Sequence, residues 1–539
     1  MRYIYPVRAV YSEGDVKNLS ALLTKQTLQI GLKEKNLAEI NGRACIVLDY
    51  GKELSGGARI LTFEEGEKKT VRLRFGESVS EACAEIGEKN AGNDHSNRDF
   101  KVDLRGYSDM TFGQTGFRFL RIDTKEGAHI RLKSVVAACD TDERAEIGSF
   151  ECDDERVNAV WHTAAHTLRL CLHNGYFWDG VKRDRLVWIG DLYPEFRAAH
   201  CLFGDVPETK NSLSFAREEN PLPEWISNMP SYSLWWLIIL HGEYRFGGDL
   251  AYVKEQLPYI RGIIDQISAC VGEDGVTAYP NDFIDWPSAY AEGDPPEKPR
   301  EVRHGMNFLT RIAVKKAGEL LAALGESEKN CAEILRRLEK NPCPVRLLKQ
   351  VAALGAWAGA DVDQNVVLQG GERGMTTFMS YPVLTATAKF GGAARALSAM
   401  KNYYGAMLDL GATTFWEDFD VARAENAFRI DEMPVVGKKD VHGDYGKECY
   451  VGFRHSLCHG WSAGVIPFLT ETVLGIGVEK AGCAEVSVRA ELGDLKYAAG
   501  TFPTPRGNIE VRHARRANGS VETRIKAPEG VIVRQEQGR

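Results

Sequence analysis

The sequence lacks several features, and each absence narrows what the chain can be. No apolar run approaches the roughly 18 residues that cross a bilayer; "SLWWLIIL" at 233–240 is far too short. The opening residues "MRYIYPVRAVYSEGD" hold no apolar core followed by small residues, the pattern of a secretory leader. Twelve cysteines are scattered singly with no C-x-x-C pair, which predicts reduced thiols and a cytoplasmic protein, not a disulfide scaffold or a zinc ribbon. No long basic tract appears and the formal net charge is −8, so neither nucleic acid nor a membrane is expected as a partner. The dinucleotide fingerprint G-x-G-x-x-G is missing, "GGERG" at 370–374 lacks the lysine of a P-loop, and no G-x-S-x-G elbow occurs. No cofactor is called for.

What is present falls into three textures, with expected boundaries at 1–148, 149–472 and 473–539. The first is β: "ACIVLDYG", "ARILTF", "KTVRLRFG", "GFRFLRIDT" and "HIRLKSVVAA" are short β-branched or alternating runs, separated by turn residues and suited to a sandwich. From about 150 the apolar period lengthens. Val157, Val160, Trp161, Ala164, Leu168 and Cys171 recur at three- and four-residue steps, with Asp153 placed to cap and Gly175 to end the helix. About a dozen such helices would suit a closed double ring of helical hairpins. After about 475 strands return, and Asn518-Gly519 carries a type I′ hairpin signal. The fold class expected is multidomain and mainly α, an (α/α)6 barrel flanked by an N-terminal β-sandwich and a small C-terminal β-domain.

Four polar loops hold the unusual chemistry. "FWDGVKRDRLVWIGDLYPE" (177–195) sets Asp179, Lys182, Arg183, Asp184, Arg185 and Asp191 beside Trp178 and Trp188. "AYPNDFIDWPSAYAEGD" (278–294) carries Asp282, Asp285 and Trp286; "GATTFWEDFD" (411–420) carries Trp416 and Glu417; "FRHSLCHGWSAG" (453–464) carries His455, His459 and Trp461. An indole beside a carboxylate suits a sugar, which offers an apolar C–H face and a rim of hydroxyls. Glycoside hydrolysis needs two carboxyl groups, one protonated for the leaving oxygen and one ionised to activate water or attack carbon. Apolar surroundings raise a carboxyl pKa by desolvation. His455 and His459 stand four apart, but no glutamate lies between them in the zincin sense and no third ligand is apparent, so no metal site is expected.

At these loops the chain resembles the α-L-rhamnosidases of glycoside hydrolase family 78, over most of its length. "GFRFLRI" and "LDYGKELSGGARI" are similar to the family's sandwich strands, "SFECDDERVNAVWHTAAHTLRLCLHN" to its entry into the barrel, "PSYSLWWLIILHGEYRFGGD" and "GATTFWE" to barrel motifs, and "GTFPTPRGNIEVR" to its C-terminal β-domain. The resemblance implies an inverting mechanism with Glu417 as general base and His459 in the same pocket. It also implies Asp179, Trp188 and Asp191 as sugar contacts. The family's first loop runs D-x-P-x-x-x-E-R-x-G-W-x-G-D, with its glutamate as general acid. Here "DGVKRDRLVWIGD" is one residue shorter and has no glutamate. Asp184 is the expected substitute, with Glu195 behind it, and a pairing of Asp184 with Arg183 or Arg185 would count against that role.

The reading is therefore a metal-independent exo-glycosidase acting on short glycosides, monomeric or homodimeric. Catalysis falls to Glu417 and Asp184, and substrate binding to Asp179, Arg183, Trp188, Asp191, Asp285, Trp286, Trp416 and His459. Rivals are a hydrolase for another deoxy-sugar or for a uronate, which Lys182, Arg183 and Arg185 would suit, a polysaccharide lyase, and a non-catalytic sugar-binding relative.

Overall fold

The structure is a computed structural model that describes residues 2–63, 67–286 and 295–536. Part of the second polar loop, 287–294, lies outside the described residues.

The N-terminal region forms a seven-stranded sheet, and the runs at 44–51 and 58–63 are one strand in it, Ala38–Thr62. That strand pairs antiparallel with Arg8–Lys17 and Asp109–Asp123 and also pairs with His129–Cys139, so it lies at the centre of the sheet. Gly56 lets it pass its neighbour, because a Cβ there would lie 2.1 Å from the Ala138 carbonyl oxygen. Leu48, Ile60, Leu73, Phe117 and Leu120 fill a core belonging to this sheet alone.

The first long helix, Glu155–Leu170, is capped by Asp154, whose side chain accepts from the amides of Arg156 and Val157. Asp153, the expected cap, instead accepts from the amides of Lys496 and Tyr497 and ties the helix start to the C-terminal sheet. Gly175 does not end the helix. It turns a small hairpin between Leu172–His173 and Tyr176–Phe177, which delivers the first polar loop. Helices Ile189–Phe203, Pro207–Glu219, Pro230–Gly247, Leu250–Cys270, Glu297–Ala323, Lys329–Leu338 and Lys349–Ala358 follow. The run at 383–408 is split into Ser380–Gly391 and Ala393–Asp409 at Gly392, where φ is +82°. Ala393–Asp409 packs on Glu155–Leu170, so the helical series returns to its start.

The C-terminal strands form two small sheets. One takes in Ser149–Cys152, paired antiparallel with Tyr497–Thr504, so the segment entering the helices is itself a strand. The hairpin at Asn518-Gly519 forms, but only Gly519 has positive φ and Arg516 N–H reaches the Ser520 carbonyl. The turn is thus wider than type I′. Val486, Val488, Phe502 and Val511 share one core with the helices.

Candidate active site

The four loops meet at the end of the helical region that carries the N-termini of Ile189–Phe203, Pro230–Gly247 and Lys349–Ala358. At their centre is His459, buried, with Nε2 3.7 Å from Asp179 Oδ2 and 3.8 Å from Glu417 Oε1. Its Nδ1 lies 3.8 Å from Asp191 Oδ1. Burial opposes charge on this ring, but the three carboxylates outweigh it and raise its pKa to about 9. The arrangement thus favours the protonated ring among the acids. His455 does not join it, because the segment is not helical there and His455 Nε2 accepts from the Asp418 amide.

Each acid is held differently. Asp179 accepts the Asp184 and Leu186 amides at 2.9 Å each, so half of its acceptor capacity shapes the loop. Burial works against its ionised form, but His459 and these amides hold it below the usual carboxylate range. Glu417 receives both its oxygens' contacts from one guanidinium, with Arg183 Nη2 at 2.7 and 2.8 Å, and it accepts the Ser456 amide at 2.9 Å. Burial still raises its pKa, with Arg183 and His459 offsetting part of the effect. Asp191, in the first turn of Ile189–Phe203, is raised well above the usual range by burial, which His459 only partly offsets. Glu195, one turn on, is raised in the same way, and its Oε1 lacks a hydrogen-bond partner.

Asp184 is not placed as a proton donor. Its Oδ1 accepts from Arg183 Nη1 at 2.6 Å and faces His95 Nε2 at 3.2 Å, the setting of an acceptor. This is the pairing that counts against it as the acid. It nonetheless stays within the site, since a single guanidinium bridging two carboxylates keeps them within roughly 7.5 Å of each other.

The other cations of the first loop are committed as well. Lys182 Nζ lies 2.9 Å from Glu77, 3.1 Å from Glu81 and 2.6 Å from the His455 carbonyl oxygen, which joins the N-terminal sheet to the floor of the site. Glu77, Glu81 and His442 form the one cluster among the described residues with metal-ligand spacing. The Lys182 ammonium contacts both glutamates there, and both His442 nitrogens are engaged, by Ser78 and by the His455 carbonyl. Arg185 donates to the carbonyls of Val181 and Gln114 and covers Trp178, which stacks on His173 away from the acids. Acids and carbonyls thus hold the three cations that the sequence offered to an acidic sugar.

Of the tryptophans, Trp188 is half-buried, edge-on to Tyr232 at 6.1 Å. Trp286 packs edge-on to Phe283 at 5.0 Å. Trp416 is 1% exposed and packs on Phe419 and His455, so it has no face to offer a sugar. Adjacent side chains diverge, and Glu417 takes the inward direction. Trp461 braces the site from behind: its Nε1 donates to the Glu417 carbonyl at 2.9 Å, and its ring lies 4.3 Å from that of His459. Asp285 is fully buried, accepts from Thr376 Oγ1 at 2.5 Å, and is raised to about 7 chiefly by burial. The neighbouring Thr377 hydroxyl donates to the Glu417 carbonyl at 2.5 Å, which links the second loop to the third. His95 and Ser456 were not singled out for the site. Ser456 lies in the fourth loop and was within reach, whereas nothing around "NDHSN" marks His95.

A cavity of about 490 Å³ adjoins these loops, lined by Trp286, Thr376, Asp418 and Tyr450 among others. A larger one, about 680 Å³, opens at the other end of Ile189–Phe203 near Arg197 and Trp357 and has none of the clustered acids. No helix among the described residues is long and apolar enough to cross a membrane.

Residues 145–339 match the model of the bacterial alpha-L-rhamnosidase six-hairpin glycosidase domain. Among solved structures, the chain is similar to the family 78 rhamnosidase of Bacillus sp. GL1, at 20% identity and a TM-score of 0.75, covering 97% of this chain and 56% of that one. The α-L-rhamnosidase from Dictyoglumus thermophilum gives 17% identity and a TM-score of 0.70, covering 90% and 56%. The rhamnosidase from Klebsiella oxytoca, solved with rhamnose bound, gives 19% and 0.66, covering 87% and 95%. The chain thus spans little more than half the length of the first two. No curated protein matches it. Residues 145–339 are thus similar to the six-hairpin glycosidase domain of the bacterial α-L-rhamnosidases, within a chain whose fold resembles that of the family 78 enzymes.

Proposed function

We propose that the chain is an inverting glycoside hydrolase of the α-L-rhamnosidase type, its helices forming an (α/α)6 barrel. Glu417 activates water and Asp191 holds the proton for the leaving oxygen. The observation that carries this reading is the pair of acids on opposite nitrogens of His459, each 3.8 Å away. Such an arrangement keeps their oxygens within roughly 10 Å of each other, compatible with the 6.5–9.5 Å or so of inverting pairs. Their environments also differ in the required sense: Glu417 has a guanidinium to favour its ionised form, while burial pushes Asp191 well above the usual carboxylate range. The ring of Asp179, Asp191, Asp285 and Glu417 favours a neutral sugar there, consistent with a deoxy-sugar and not a uronate. Asp179 and Trp188 would position it.

Asp184 supplies a second reading for the acid, favoured by its place on the family's acid loop and by its bridge to Glu417 through Arg183. The two are separated with aryl and alkyl rhamnosides. Removing the true acid by Asp→Asn cripples the alkyl glycoside and largely spares an aryl glycoside whose phenol leaves unprotonated. We expect Asp191→Asn to show that split and Asp184→Asn to slow both alike. Glu417→Gln should abolish turnover of both. Proton NMR of the first-formed sugar should show inverted configuration, and retention would overturn the mechanism.

A further inference from the structure

The 490 Å³ cavity beside the site is lined by twice as many cations as acids. Lys298, Arg346, Lys349, Arg373, Arg423 and Lys447 line it, against Asp418, Asp420 and Glu448. Arg423 is neutralised by Asp418 at 2.5 Å. Lys349 directs its ammonium to the carbonyls of Gly371 and Arg373. Arg346, Arg373 and Lys447 are exposed and make no ion pair among the described residues, so the rim keeps unspent positive charge. Trp286 and Phe419 supply apolar walls, and the volume falls in the range of small-ligand pockets.

The cavity shares its inner wall with the acids. Thr376, which lines it, donates to Asp285; Asp418 follows Glu417 directly; and Trp286 follows Asp285. A saccharide whose terminal neutral sugar sits among Asp179, Asp191 and Glu417 would extend past Trp286 into this basic rim. The buried acids offer acceptors to the hydroxyls of a neutral sugar at the first position, while the neighbouring surface attracts an anion. We infer that this cavity is the leaving-group subsite and that it takes an anionic sugar residue, one bearing a carboxylate or a sulfate. The assignment as leaving-group subsite rests on the hydrolase reading above, but the anion preference does not.

The test uses the intact chain with three probes: trigalacturonate, a sulfated trisaccharide and neutral maltotriose, each titrated calorimetrically at low and high salt. At least one anionic probe should bind about ten-fold or more tightly than maltotriose at low salt. That advantage should shrink several-fold near 0.5 M salt, where the screening length is only a few ångströms. It should also fall toward parity in Arg346→Ser/Arg373→Ser, both exposed positions whose replacement leaves the core untouched. Which anionic probe prevails names the charged group. Equal binding of all three by the unsubstituted chain would overturn the inference, as would a preference untouched by both salt and substitution. A second measurement compares kcat/KM for a rhamnosyl-galacturonate and a rhamnosyl-glucose disaccharide. A preference for the first of about ten-fold that collapses in the double variant supports the subsite, and equal values overturn it. Tight anionic binding with neither disaccharide cleaved would instead refute the hydrolase reading and the subsite's role in leaving, while upholding the anion site.

Discussion

Replacing Arg183 by methionine tests how the candidate base is kept ionised. The guanidinium is almost fully buried and donates to both oxygens of Glu417, to Asp184 and to the Arg454 carbonyl. Methionine keeps much of the stem's packing and removes the charge. Glu417 is then left with the Ser456 amide and with His459 at 3.8 Å. At about 4 Å and an effective dielectric near 20, one such pair is worth about 4 kcal/mol, or about three pH units on the carboxyl. Repacking and water entry reduce this, so an upward shift of about one to three units is expected. Because a base must be ionised to activate water, the acidic limb of the kcat/KM profile moves to higher pH by that amount. Activity at pH 6 falls by about ten- to a thousand-fold and recovers as pH rises. Stability follows the same proton. Glu417 is already raised in the fold and is raised further in the variant, so the variant's deficit is smallest below the parent's folded value and grows as pH rises through it toward the variant's. It should reach about 3–5 kcal/mol at neutral pH, the usual cost of breaking a buried pair. Arg183→Lys restores charge without the fork and should shift the limb less. A pH-rate series on an aryl rhamnoside decides the matter. An acidic limb that stays in place in Arg183→Met, however low the activity, would show that Arg183 only braces the loop.

Glu195 is buried with a raised pKa and an unpartnered oxygen, so ionisation is what the fold resists. Its contribution is undiminished below the unfolded value near 4.5 and declines as pH rises from there. Glu195→Gln should remove that decline, gaining up to about 1.4 kcal/mol per pH unit relative to the unsubstituted chain, seen as a difference in Tm between pH 5 and pH 8. Gly460→Ala should cost about 1–3 kcal/mol by denaturant unfolding, because the added Cβ would lie 1.8 Å from Glu195 Oε1. It should also depress activity, since Gly460 N–H anchors the Asp179 carbonyl beside His459; a variant as stable as the parent would refute the packing argument. Exhaustive dialysis against EDTA should leave turnover unchanged, because the Lys182 ammonium already bridges the glutamates of the cluster with ligand spacing. Restoration of lost activity by a divalent ion would refute this.

Amphipathic helices such as Glu155–Leu170 were legible because one wet face creates a three-to-four period, and the strands because β-branched runs stop at turn residues, although Ala38–Thr62 and His129–Cys139 are buried on both faces over much of their length. Ile189–Phe203 was missed for the converse reason. Of its residues only Arg197 is not buried, so it has no polar face to create a period, and its two buried acids disguise it further. Lys349–Ala358 was missed for the same reason, its first eight residues all being buried. In the site, residue types were legible and partners were not. The first loop announced an unusual density of charge, but what spends that charge comes from Glu77, Glu81, Glu417 and the carbonyl of Arg454, brought in by tertiary structure. Local sequence also cannot say which of two adjacent residues turns inward, so Trp416 and Glu417 looked equally available.

His459 explains why so many acids are tolerated in one buried place, and its charge can be tested directly. Three carboxyl groups face one ring, and the fold raises that ring's pKa from about 6.5 to about 9. A group raised in the folded state stabilises the fold in full below its unfolded value and loses that contribution as pH rises through the folded value. The window is therefore pH 6.5 to 9, and the shift corresponds to about 3 kcal/mol. Neutral His459→Gln lacks this contribution at every pH. Urea unfolding between pH 5.5 and 9.5 should find the variant about 3 kcal/mol less stable at the acidic end. The gap should close through the window and be nearly gone at pH 9.5. The Asp179–Glu417 pair should also lose activity in the variant at neutral pH, since the cation that lets both stay ionised is missing. Unfolding curves that run parallel across the whole range would mean that His459 is neutral in the fold, and the arrangement of acids around it would need another source of positive charge.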